Sequence, residues 1–80
     1  MKHVYLIRSR RYPSQSYVGV ASDVDRRPSD HNAGYSRHTA KYTPWGLVVA
    51  VRFEDDERAA AFEQYLKSGS GRSFAKRHFW

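Results

Sequence analysis

The segment HVYLIRSRRYPSQSYVGVAS, residues 3 to 22, contains two short apolar runs, each with a tyrosine near its centre, Tyr5 and Tyr17. They are either ordinary strand tyrosines or two phenols set side by side for chemistry. A phenol, with a pKa of about 10, is a poor base at neutral pH unless a nearby cation or metal-bound water lowers its proton affinity. Lys41 and His38 are candidates for that cation. Arg27 and His31 stand four residues apart, so a helix there projects both from one face. Arginine suits a phosphate, because its planar fork stays charged and donates two hydrogen bonds. Glu63 lies at the margin of an apolar helical stripe, and a lone carboxylate can suffice for magnesium, which prefers oxygen ligands and keeps several waters.

These residues need a scaffold, and the chain is short. Its 80 residues make one small domain, 1–80, with a thin core. Hydrophobic residues at 40% and aromatics at 15% still suffice for a compact fold. HVYLIR (3 to 8) alternates, with Val4 and Leu6 on one face and Tyr5 and Ile7 on the other. SYVGVA (16 to 21) is rich in β-formers, and Pro13 and Ser14 supply turn chemistry between the two runs. The pattern predicts an antiparallel hairpin that brings Tyr5 and Tyr17 onto neighbouring strands. SDVD (22 to 25) has capping-box spacing, and Gly34 is a terminator, so a helix is expected over about 23 to 33. Pro28 falls past its first turn and predicts a kink or a break near Arg27.

Residues 34 to 46, GYSRHTAKYTPWG, read as a polar, basic and aromatic surface loop. LVVAVRF (47 to 53) has no alternation and is expected to be a strand buried on both faces, central in the sheet. The acidic block EDDE (54 to 57) opens a second helix, with Asp55 or Asp56 as cap and Ala59, Phe62 and Leu66 as its apolar stripe. Gly69 and Gly71 are expected to stop it, before a short third helix packed through Phe74 and Phe79. The fold class is α/β (α+β): a small three-stranded antiparallel sheet flanked by helices, in the order β-β-α-β-α-(α).

Charge and composition limit the function. The net charge is +6, and basic residues interleaved with tyrosines favour a face for a phosphate backbone. There are no cysteines, so neither a disulfide framework nor a cysteine-ligated zinc site is available. No pair of histidines has convincing zinc spacing. Leu47 to Val51 is the longest apolar run and is far too short to span a bilayer, and the N-terminus lacks the apolar stretch of a signal peptide. A soluble, cytoplasmic protein with no membrane partner is expected.

Val4-Tyr5, Tyr17-Val18-Gly19, Arg27, His31-Asn32 and Glu63, taken in that order, resemble the GIY-YIG nuclease superfamily over nearly the whole chain. The similarity is to its short single-domain bacterial members, which are similar to the N-terminal nuclease domain of the excision-repair endonuclease. In these, HTAKY-PW and YLKSGSGR recur, as at 38 to 45 and 65 to 72 here. The resemblance implies a metal-dependent endonuclease acting on DNA phosphodiester bonds, with a DNA-repair connection. By it Tyr5 orients or deprotonates the attacking water, Tyr17 and Gly19 form the second motif, and Arg27 binds the scissile phosphate. His31 occupies a less uniform polar site, and Glu63 holds one divalent cation, Mg2+ or Mn2+. His3 stands where the family often has glycine, and the asparagine many relatives carry after the glutamate helix has no counterpart.

The basic and aromatic residues Arg26, Arg37, His38, Lys41, Tyr42, Arg72 and Lys76 are candidates for gripping nucleic acid by charge and stacking. Plainer roles stand beside these: Arg27 can pair with Asp23 one turn back, and His31 can be a surface histidine. The partner is DNA, branched, nicked or damaged, with RNA an open alternative and no protein partner implied. The rival function is a catalytically weak or inactive nucleic-acid-binding module.

Overall fold

A computed structural model describes residues 2–22 and 40–80. The expected helix over 23 to 33, and with it Arg26, Arg27, Pro28 and His31, lies outside the described residues, as do Arg37 and His38. Three strands form one antiparallel sheet: β1 (Lys2–Ser9), β2 (Ser16–Ala21) and β3 (Trp45–Phe53), in the order β2-β1-β3. Two helices follow, α1 (Asp56–Lys67) and α2 (Gly69–His78). Among the described residues no helix is long and apolar enough to cross a membrane.

The alternation in β1 is realised, with apolar side chains buried on both faces. Val4 and Leu6 join Ala59 and Leu66 of α1 and Ala75 of α2, while Tyr5 and Ile7 pack with Ala21 and Trp45 on the other side. Each fully buried aliphatic side chain contributes about 1.5–3 kcal/mol of transfer free energy, so this strand anchors both layers. Around the first cluster Phe53, Phe62, Phe74 and Phe79 meet ring to ring, Phe74 and Phe79 edge-on at 5.5 Å.

The expectation that β3 is central and doubly buried is corrected. It pairs only with β1 among the described strands, and its Leu47 and Val48 are exposed. An unbroken apolar run does not distinguish a central strand from an edge strand. The strand also starts earlier, at Trp45, inside the segment expected to be loop. A register shift falls between Leu6 and Ile7: Leu6 lies opposite Val49 and Ile7 opposite Leu47, leaving Val48 as the extra residue of a bulge. One inserted residue reverses side-chain parity, so Trp45 shares the Tyr5 face with Ala50.

The glycines after α1 do not act as stops. Ser68 ends α1 and caps α2: its Oγ donates to the Tyr65 carbonyl at 2.6 Å and accepts from the Gly71 N–H at 3.2 Å. Gly69 opens α2 and Gly71 lies within its first turn. An added Cβ on Gly71 would collide with the Tyr65 carbonyl and Leu66 Cα, whereas one on Gly69 meets nothing within 4 Å. Gly71 is thus needed for the close approach of α2 to the last turn of α1. At the other end of α1 Asp55 is the N-cap, accepting from the Glu57 N–H at 2.8 Å.

Overpacking at this corner is expected to make Gly71→Ala less stable by roughly 2 kcal/mol, a fall in Tm of about 8–16 °C. Gly69→Ala should be neutral or stabilising by up to about 1 kcal/mol, through the unfolded chain. Thermal denaturation of the two variants side by side checks both.

Candidate active site and nucleic-acid interface

The hairpin brings the two tyrosines together. In the β1–β2 register Tyr5 lies opposite Gly19 and Ile7 opposite Tyr17, so the tyrosines are diagonal neighbours on one face. Their ring centroids are 6.2 Å apart and their planes tilted by 39°. Tyr5 is 3% exposed, and its ring and hydroxyl occupy the space a Cβ on Gly19 would need. The glycine of Tyr17-Val18-Gly19 therefore has a steric purpose: it lets the Tyr5 ring lie across the neighbouring strand with its oxygen over β2. Tyr17 remains half-buried.

One buried polar side chain ties the surrounding loops to this face. Ser9 Oγ donates to the Tyr42 carbonyl at 2.6 Å and accepts from the Tyr12 N–H at 2.9 Å. The Arg10 N–H donates to the Pro44 carbonyl at 2.8 Å, and the Thr43–Pro44 peptide is cis. Tyr42 consequently packs edge-on between Tyr12, at 5.9 Å, and Trp45, at 6.4 Å. Its ring is part of the packing on the tyrosine face, and Lys41 beside it is exposed.

Glu63 projects from α1 with its side chain 17% exposed. Its Oε2 accepts from Lys67 Nζ at 3.2 Å, one turn on, and its Oε1 accepts from Gln64 Nε2 at 2.9 Å. The helix packs on the Val4–Leu6 face, and the tyrosines lie on the other. Lys67 and Tyr17 nevertheless border one cleft beside β2, so the β2 side of the sheet links the carboxylate to the tyrosine pair. Among the described residues no group of three His, Cys, Asp or Glu side chains could hold a metal ion. A single oxygen-liganded divalent cation suits the donor present: one carboxylate, with an exposed lysine as the counter-ion to be displaced.

Arg72 and Lys76 are both exposed on α2, four residues apart. A residue that sequence reasoning passed over is His3. It shares the Tyr5 face by the two-residue period of β1, and its Nδ1 is buried without a hydrogen-bond partner. That spacing of two from Tyr5 was the available signal.

The family model described as the GIY-YIG catalytic domain matches residues 1–77 of the chain. No curated protein matches it. Members of the family are endonucleases and generally use divalent metal ions. With the antiparallel β2-β1-β3 sheet, its following helices and a match over nearly the whole length, the chain belongs to the GIY-YIG nuclease superfamily.

Proposed function

We propose that this chain is a metal-dependent endonuclease that hydrolyses DNA phosphodiester bonds in the cytoplasm, with residues 1–80 acting as one nuclease domain. The observation that carries the reading is the Tyr5–Tyr17 pair folded over Gly19, because the pairing of two short strands delivers two phenols to one spot. Burial restricts Tyr5 to one orientation, which suits it to align an attacking water or take its proton. Tyr17, less buried, lies between that water and the cleft beside β2. Arg27, by its place in the family pattern, binds the non-bridging oxygens of the scissile phosphate, with His31 beside it. Glu63 would hold Mg2+ or Mn2+ once Lys67 yields its oxygen. A cation there supplies charge stabilisation for the leaving alkoxide.

Labelled duplex, branched and single-stranded DNA, incubated with magnesium or manganese, tests the reading. Wild type is expected to cut, and Tyr5→Phe and Glu63→Gln to lose at least about 100-fold in rate while still binding DNA. Binding without cutting on any probe would overturn it in favour of a nucleic-acid-binding module.

Gly19→Ala separates geometry from chemistry. It adds no charge and removes no polar group, yet its methyl displaces the Tyr5 ring. A misplacement of about 1 Å costs on the order of 100-fold in rate. Cleavage should fall by about that factor with DNA affinity unchanged, measured as kcat against equilibrium binding with the metal chelated.

A further inference from the structure

We infer that the cleft between the start of β2 and the α1–α2 corner binds an unpaired nucleotide of the nucleic acid, its base against Trp80 and its phosphate at Arg72. The inference rests on the nucleic-acid reading above and does not need hydrolysis.

The cleft has a volume of about 470 Å³, and Tyr17, Val18, Lys67, Arg72 and Trp80 are among its walls. That is within the range of cavities that take small ligands, roughly 300–1,000 Å³. None of its described lining side chains is acidic. Its chemistry is that of a single-strand site: cations to follow a backbone and an aromatic ring on which a base of any identity can stack. Trp80 is half-buried, and the Arg8 guanidinium lies over its ring, 5.2 Å from the centroid. A third cation therefore stands at the tryptophan.

The two cations in the wall are not equivalent. Lys67 shares its charge with Glu63 through the 3.2 Å ion pair. Arg72 is exposed on the first turns of α2 and is the better phosphate contact, by charge and by its fork. Tyr17 belongs both to the tyrosine pair and to the cleft, so a strand whose phosphate sits at the tyrosines continues into the cleft. A duplex offers no free base to stack there, because its bases are already stacked on one another. A duplex with an unpaired tail, or a branched or gapped DNA, supplies one.

Binding is measured by the full chain carrying Glu63→Gln, with the metal chelated so that nothing is cut. The probes are a blunt duplex, the same duplex with a single-stranded thymidine tail, and a free oligothymidine. The tailed duplex is expected to bind more tightly than the blunt one and to quench tryptophan fluorescence. Trp80→Ala should weaken tailed-duplex and oligothymidine binding by about tenfold and leave the blunt duplex unchanged. Trp80→Phe, which keeps a ring, should retain most of the affinity and lose the quenching. Arg72→Gln, at an exposed position, should reduce the slope of log affinity against log salt for oligothymidine by about 0.7.

Equal binding of blunt and tailed duplexes, with no effect of Trp80→Phe on quenching or of Arg72→Gln on the slope, overturns the inference. A wild-type chain that cuts DNA but gives that result leaves the nuclease reading standing alone. One that never cuts but prefers the tail through Trp80 and Arg72 supports this inference and removes the nuclease reading.

Discussion

Val4, Tyr5, Leu6 and Ile7 are all buried, so the middle of β1 has no solvent face, and both layers of the molecule take their position from this one strand. Side chains in a strand alternate with a period of two, so a one-residue slip would exchange Val4 and Leu6 for Tyr5 and Ile7 and bury the wrong set on each side. The helices would then lose their aliphatic floor, and the Tyr5 ring would lose Gly19. The register that stabilises the core is thus the same register that pairs the tyrosines. That coupling makes the tyrosine face rigid, since it cannot rearrange without disturbing the helix-covered side.

Two local irregularities adapt this scaffold. The bulge at Val48 lets β3 begin on one parity and end on the other, so Trp45 reaches the tyrosine face while Val49 and Phe53 still pack under the helices. Ser9 then ties the 10–15 loop and the 42–44 segment to the end of β1 through two hydrogen bonds from a side chain only 1% exposed. On the other layer, Ser68 and Gly71 fold α2 tightly against the end of α1. This corner gives the β2 side of the sheet a cleft wall bearing Lys67 and Arg72.

Charge is divided along α1. Asp55, Asp56 and Glu57 gather at its N-terminus, where the helix dipole favours them, and Lys67 stands in its last turn. Basic residues continue through the last turn of α2, at Lys76, Arg77 and His78. An anionic chain approaching the molecule therefore meets repulsion at one end of α1 and attraction at the other, the end that borders the cleft.

Much of this was legible in the residues alone. Alternation in β1, β-formers in β2, the acidic cap and apolar stripe of α1 and the order of family motifs are local patterns, and local patterns carry period and element type. The pairing of Tyr5 with Tyr17 followed from a hairpin that the turn residues made necessary. Three things were not legible. The edge position of β3 depends on which strands bury β1, a competition among all strands that an apolar run does not encode. The role of Gly71 looked like a helix stop, because a glycine needed for close approach and one needed for termination have the same local signature. The cleft of Tyr17, Lys67, Arg72 and Trp80 assembles residues separated by up to most of the chain, and only the packing of α2 onto α1 beside β2 decides that they meet. Sequence determined the elements and the two phenols; tertiary structure decided the strand order, the helix corner and the cleft, because each depends on contacts between segments remote along the chain.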